Sequence, residues 1–111
     1  MYIRCAFFRG HVKAGQQDNF TRYVRETLVP LWTQFPGAEE VRVLRQAESD
    51  VPEPHFEMVL AIRYPSRTAL DLALASDARA QSREATQVLV EMFDGTIFHT
   101  LFDAAEHPLR P

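Results

Sequence analysis

The chain has 111 residues, 46% hydrophobic and 24% charged, a balance typical of one globular domain and unlike a disordered segment. Twelve Lys and Arg against 15 Asp and Glu give a net charge of −3, which argues against a nucleic-acid-binding surface. No apolar run approaches the roughly 18 residues that span a membrane. Because the one cysteine, Cys5, cannot form an internal disulfide, we expect a cytoplasmic protein.

The first half of the chain predicts a strand followed by a helix. Residues 2–9 alternate and are rich in aromatic and β-branched side chains, which indicates a strand that ends at Gly10. Over residues 16–35 apolar side chains recur every three or four positions, which predicts a helix ended by Pro36 and Gly37. Pro30 lies inside this helix and should kink it, because proline lacks a backbone N–H.

The second half predicts two strands, a broken helix and a last strand. Residues 39–48 and 55–64 read as strands, separated by a loop that contains two prolines. Ser66 is a good N-cap for a helix, and Ser76-Asp77 should break or re-cap it before residues 78–93 continue. Asp94-Gly95 should end that helix, and residues 96–103 form the fourth strand. Residues 104–111 are expected to be a surface tail.

The element order is therefore β-α-β-β-α-β, which is typical of an α+β, ferredoxin-like domain over residues 1–103. Such a domain has a four-stranded antiparallel sheet with its helices on one face. We expect the helix-facing side to carry Ile3, Cys5, Phe7, Val41, Val43, Phe56, Met58, Leu60 and Ile62.

The opposite side of the predicted sheet is also rich in apolar side chains. Strand four adds either Ile97, His99 and Leu101 or Phe98, Thr100 and Phe102 to it, and the pattern leaves the choice open. In either register of strand four, the side away from the helices would be too apolar to stand in water, so we expect a homodimer with sheet against sheet. The other positions expected on this side are Tyr2, Arg4, Ala6, Phe8, Arg42, Leu44, Glu57, Val59, Ala61 and Arg63.

Several stretches resemble the EthD-like family of dimeric α/β barrels. The first is FTRYVRE at residues 20–26 with Pro30-Leu31 and Pro36-Gly37, and the second is LDLALAS at residues 70–76. The resemblance follows the element order over about residues 3–102. It implies a barrel closed by two sheets across a dimer, with a cleft between sheet and helices in each subunit. Relatives on this fold include cofactor-free monooxygenases acting on polyketides, haem-degrading proteins and isomerases of small lactones.

One departure from the family concerns the first helix. The family commonly has a histidine shortly before the proline, where this chain reads Thr27-Leu28-Val29-Pro30, so no catalytic residue is carried over. The resemblance implies binding of an aromatic or apolar small molecule, with a cofactor-free oxygenase, isomerase or decarboxylase-type step. The alternative is a non-catalytic binding or stress-associated module on the same fold.

The polar residues offer few candidates for chemistry. The four histidines have no metal-ligand spacing, and no glycine-rich phosphate or dinucleotide motif is present, so we expect no structural metal and no cofactor such as a tightly bound flavin or nicotinamide. Haem held by a histidine in the cleft stays an open alternative. Candidate catalytic residues are His11, Tyr23 and His99. The ligand cleft is expected along the first helix near the Pro30 kink, lined by Tyr23, Leu28 and Trp32 above a floor of Phe7, Met58 and Leu60.

A second candidate cluster lies on the face expected to point away from the helices. It would be either an anion or acid/base site inside the barrel or, as we favour, an ion-pair network at the dimer interface. Its expected members are Arg4, Arg42, Glu57 and Arg63, with His99 added in one register of strand four.

Overall fold

The computed structural model describes all residues from 1 to 111. The helices fall into two groups, one between the first two strands and one between the last two. The strands are β1 (Tyr2–Val12), β2 (Glu40–Leu44), β3 (Phe56–Tyr64) and β4 (Phe93–Asp103). The helices are α1 (Gln17–Tyr23), α2 (Val29–Trp32), α3 (Arg67–Leu74) and α4 (Asp77–Val90), with a π-helical turn at Val24–Leu28 joining α1 to α2.

The four strands form one antiparallel sheet in the order β2-β3-β1-β4. The helices pack on one face of it and enclose a core of aromatic and aliphatic side chains, among them the fully buried Phe20, Leu28, Met58, Leu70 and Leu89. The predicted ferredoxin-like α+β fold is therefore confirmed. The dimer remains a prediction.

The proline in the first helix is accommodated by a wide helical turn. The backbone N–H of Val29 donates to the carbonyl of Val24, five residues earlier instead of four. Pro30 follows in the first turn of α2, so its missing N–H falls where the wide turn passes back into the α-helix. The predicted kink thus takes the form of a π-helical turn just before the proline.

Two serines begin the helices of the second half. The Ser66 Oγ accepts a hydrogen bond from the Ala69 N–H at 3.1 Å, and the Ser76 Oγ accepts one from the Arg79 N–H at 3.2 Å. These side chains satisfy helix N–H groups that have no partner in the first turn. Ser76 separates α3 from α4, as its position predicts.

β1 and β4 are longer than their patterns predict, because two glycines pair across them. Gly10 lies opposite Gly95, with φ of 138° and 157°. Only glycine adopts such angles readily. The predictions that β1 ends at Gly10 and that Asp94-Gly95 ends the preceding helix are therefore wrong. The ladder runs through both glycines, and α4 already ends at Val90.

The expected facing of β1 is wrong as well. Ala6 pairs with Leu60 and Phe8 with Met58, and all four are buried under the helices. Side chains alternate along a strand, so Arg4 joins this helix-facing side. The expected inward set Ile3, Cys5 and Phe7 lies on the outer face instead, and so does Phe56, whose ring lies 5.5 Å from that of Phe7.

The register of β4 settles the choice that the sequence left open. Phe7 pairs with Phe98, and their rings stack at 5.1 Å, so Phe98, Thr100 and Phe102 belong to the outer face. His99 pairs with Ala6 and shares the helix-facing side with Ile97 and Leu101.

We expect Gly10→Ala to reduce stability by about 2 kcal/mol or more. A Cβ at Gly10 would overlap the carbonyl of Asp94, in a backbone conformation that L-residues rarely adopt. Gly15→Ala is the control: its φ is also positive, at 80°, but nothing lies within 4 Å of the added Cβ. It should cost only about 1 kcal/mol. Urea unfolding measures both, and equal losses would contradict the paired-glycine explanation.

Candidate functional site

A cavity of about 460 Å³ lies between the helix-facing side of the sheet and α4. Its volume falls within the range of roughly 300–1,000 Å³ typical of small-molecule sites. The sheet supplies both apolar and polar side chains, from β1, β3 and β4. The buried apolar lining consists of Ala6, Phe8, Trp32, Phe35, Leu60 and Ile62.

The cavity exists because α4 faces the sheet with short and polar side chains. Arg79, Ser82, Arg83, Thr86 and Val90 line it, spaced three or four residues apart and therefore on one side of the helix. The Ser82 and Thr86 hydroxyls donate to the helix carbonyls of Arg79 and Ser82, at 2.9 and 2.7 Å. No large apolar side chain of α4 fills the space above β1 and β4.

The other side of α4 packs on the first helix. The Tyr23 hydroxyl donates to the Ala85 carbonyl at 2.7 Å, and Leu89 is completely buried in the core. This contact holds α4 against the first helix while its polar side stays over the sheet. The cavity therefore lies beneath α4 and reaches the first helix at Trp32, with Phe35 just beyond it.

Three arginines meet in this cavity without an acidic partner. Arg4 comes from β1, and Arg79 and Arg83 from α4. No aspartate or glutamate lines the cavity, and the ion pairs of the chain all involve other basic residues. Arg79 is anchored through Nη1, which donates to the Leu74 carbonyl at 3.3 Å.

Burial, modified by this positive charge, shifts the pKa values of groups that line the cavity. Partial burial lowers the pKa of His99 to about 4, assisted by the repulsion of Arg4, Arg79 and Arg83, so the imidazole is neutral at pH 7. Burial raises the pKa of the Tyr64 phenol, which therefore stays protonated and able to donate a hydrogen bond. Burial, followed by repulsion from Arg79, lowers the pKa of Arg4.

Of the residues predicted for the site, Trp32, Leu60 and His99 line the cavity. Leu28 and Met58 do not, because both are completely buried in the core between the first helix and the sheet. The wide helical turn before Pro30 keeps this region packed, so the expected opening beside Leu28 is absent.

The remaining predicted residues lie elsewhere. Phe7 is on the outer face of the sheet, against Phe98. Tyr23 borders a separate shallow depression that the first helix shares with Met92, together with Thr27. His11 stacks on His55 at 4.3 Å near the end of β1 and is exposed. The structure does not bring these three residues to the cavity.

The charged cluster expected on the outer face is wrong in its inclusion of Arg4, and His99 does not join it, because both lie on the helix side; Arg42 and Arg63 do lie on the outer face. Glu57 is the extra residue of a bulge between β1 and β3. It accepts a hydrogen bond from the Val12 N–H at 3.1 Å and pairs with Arg45 at 3.2 Å. The other two members form their own ion pairs, Arg42 with Glu40 and Arg63 with Glu39 and Glu106.

The sequence analysis did not predict the residues of α4 that line the cavity, because the apolar positions of that segment indicate only the opposite face of the helix. The signal present in the sequence is the run Arg79, Ser82, Arg83 and Thr86, polar residues on one side of a helix that must cover a sheet. No group of three or more His, Cys, Asp or Glu side chains is arranged to hold a metal ion. None of the helices has the length and apolar character needed to cross a membrane.

The sequence matches no family model and no curated protein. Its fold matches several solved structures. An EthD family protein of Bacillus halodurans superposes with a TM-score of 0.75 at 18% identity, covering 95% of this chain and 99% of that one. An antibiotic biosynthesis monooxygenase superposes with a TM-score of 0.64 at 21% identity, covering 96% of this chain and all of that one.

A monooxygenase of Streptomyces coelicolor, solved in complex with the ligand nanaomycin D, has a TM-score of 0.66 at 12% identity over 99% of this chain and 92% of its own. At these identities the likeness is one of fold. It agrees with the resemblance found in the sequence: the chain has the ferredoxin-like fold shared by EthD family proteins and antibiotic biosynthesis monooxygenases.

Proposed function

We propose that the protein binds a flat aromatic molecule in the cavity under α4 and transforms it without a cofactor. The observation that carries the proposal is the cavity itself. It is about 460 Å³ in volume, with aromatic walls at Phe8, Trp32 and Phe35 and polar groups at one side. A largely apolar concavity with a few placed polar groups is the usual form of a small-molecule site.

The polar groups suit a reaction that involves proton transfer. His99 is neutral at pH 7 and can accept a proton from an acidic O–H or C–H of the ligand. The nearby guanidinium groups would stabilise the negative charge left behind, and Tyr64 can donate a hydrogen bond to it. An oxygenase, isomerase or decarboxylase-type step is consistent with this set, and monooxygenases among the structures of the same fold support the first. For an oxygenase, molecular oxygen is the oxidant and the substrate supplies all four electrons: a phenol becomes a quinone that keeps one oxygen atom, and the other oxygen atom leaves as water.

The alternative is a binding module without catalysis. It is favoured by the lack of any carboxylate in the cavity, which leaves His99 as the one candidate base. Its pKa of about 4 makes it a weak base in the empty cavity. Bound compounds should be incubated aerobically with the protein and analysed by mass spectrometry. Conversion that His99→Gln abolishes, with binding retained, supports catalysis, whereas unchanged recovery of every bound compound supports the binding module.

We expect flat aromatic acids, quinones and phenols to change the emission of Trp32, the one tryptophan, in a saturable way. Trp32 is 3% exposed and lines the cavity, so a bound ring would alter its surroundings. Thr86→Phe should abolish the response by filling the space beneath α4. The measurement is a fluorescence titration corrected against free N-acetyltryptophanamide, and Trp32→Phe should remove the signal.

Thr27→Phe is the matched control, since Thr27 is also half-buried but borders the other depression, beside Met92 and outside the cavity. It should leave the response unchanged. Binding that persists in Thr86→Phe and is lost in Thr27→Phe would place the ligand at the other depression and contradict the site.

We also propose that two copies associate through the outer face of the sheet. Leu44, Phe98 and Phe102 are 49%, 41% and 46% exposed there. The ring of Phe7 contacts both Phe98 and Phe102, so the aromatic side chains form one continuous patch. A self-complementary apolar face is typical of a two-fold homodimer. Closing it should bury on the order of 1,500 Å² or more in total.

We expect Val59→Asp to dissociate or unfold this dimer, because Val59 pairs with Phe7 at the centre of the outer face. Val88→Asp is the control: Val88 is 46% exposed on α4, outside this face, and the variant should stay dimeric. Light scattering coupled to gel filtration gives the mass. Wild-type protein at 12.7 kDa in the low micromolar range would contradict the dimer.

A further inference from the structure

Arg4 and Arg79 lack the compensation that charged groups usually have inside proteins, and Arg83 lines the same cavity with its side chain exposed. Partly buried arginines are normally paired with carboxylates or spread over many hydrogen bonds. Here Arg4 and Arg79 are half-buried, both line the cavity, and Arg79 lies close enough to oppose the charge of Arg4. The ion pairs of the chain, such as Arg45 with Glu57, lie outside the cavity.

Nothing in the local structure explains this grouping as a stabilising feature. Arg79 makes one hydrogen bond, to Leu74, which leaves most of its five N–H donors free. Arg83 forms no ion pair and lies four residues from Arg79, so two like charges share one helix side, an unfavourable arrangement. Unfavourable charge groupings of this kind are characteristic of binding sites, where the ligand supplies the missing charge.

We propose that the ligand of this cavity is an aromatic carboxylate, held by Arg4, Arg79 and Arg83 beside His99, with its rings between Phe8, Trp32 and Phe35. This inference rests on the proposed function and specifies its ligand class. A carboxylate suits the site because guanidinium groups bind it through two parallel hydrogen bonds. A ligand that is mainly phosphate fits poorly, since the lining contains no glycine-rich loop and its walls are largely apolar.

The charge of the ligand should be visible at His99. The charged or titratable groups facing this imidazole are Arg4 from β1, Tyr64 from β3, and Arg79 and Arg83 from α4. Burial is the largest cause of the low His99 pKa of about 4, and any ligand of this shape buries the imidazole further, but a bound carboxylate also offsets the arginine repulsion, so the His99 pKa should be higher with an acid bound than with a neutral ligand. A neutral ligand of the same shape buries the imidazole without supplying the negative charge.

The test compares aromatic acids with their carboxamides, in pairs with one, two and three fused rings. Isothermal titration at pH 7 should show at least about tenfold tighter binding of the acid in the best pair. Arg79→Gln and Arg83→Gln should each weaken that acid by about tenfold or more and change amide binding by less than about twofold. Arg67→Gln is the control, because it removes the same charge from exposed α3, outside the cavity.

Two further measurements separate a ligand-binding role from a structural one. Arg4→Gln should weaken the acid while raising the melting temperature of the free protein, because a partly buried, unpaired charge is removed. NMR titration of the His99 imidazole should give a higher pKa with the acid bound than with the amide bound. A lower melting temperature together with unchanged acid affinity would assign Arg4 a structural role and overturn its part in the proposal.

Failure of this inference can be distinguished from failure of the proposed function. If the amides bind as tightly as the acids and Thr86→Phe blocks both, the cavity is a ligand site and the carboxylate assignment is wrong. If no acid or amide binds and no compound changes the emission of Trp32, both proposals are wrong.

Discussion

The pairing of β1 with β3 determines the organisation of this domain. With Tyr2 opposite Tyr64, each even-numbered residue of β1 from Arg4 to Phe8 lies beside an even-numbered residue of β3, under the helices. A shift of one residue would exchange the two faces completely. The register therefore decides that Phe8 belongs to the core and Phe7 to the outer face, and that Arg4 reaches the cavity.

The elements of the fold could be predicted because their signals are local. Ser66 and Ser76 cap helices, and Pro30 alters the turn before it, through bonds within a few residues. The facing of β1 could not be predicted in the same way. Ile3, Cys5 and Phe7 are as apolar as Ala6 and Phe8, so alternation within the strand does not distinguish the faces. Only long-range pairing does.

Only part of the site could be predicted, again because some of its features depend on contacts between distant elements. A cleft between sheet and helices with Trp32 and Leu60 in its lining follows from the fold and the apolar pattern. The position of the cavity under α4 could not be predicted in this way, because it depends on which side of α4 faces the sheet. Ala85 and Leu89 lie on the side of α4 that packs on the first helix, so the polar side of α4 covers β1 and β4. How α4 divides its two sides between the first helix and the sheet cannot be predicted from the sequence pattern of any one of these elements.

The apolar side chains on the two faces of the sheet are shielded from water in different ways. The outer face is continuous and aromatic, so a second apolar surface of the same shape can cover it. The inner face is covered by helices that leave a cavity, and the gap is lined with cations where a stable core would place leucine or valine. Filling the cavity with apolar side chains would remove the void and the charge repulsion together. A ligand that fills the void and carries negative charge would remove both unfavourable features at once, which explains why the void and the arginines occur together under α4.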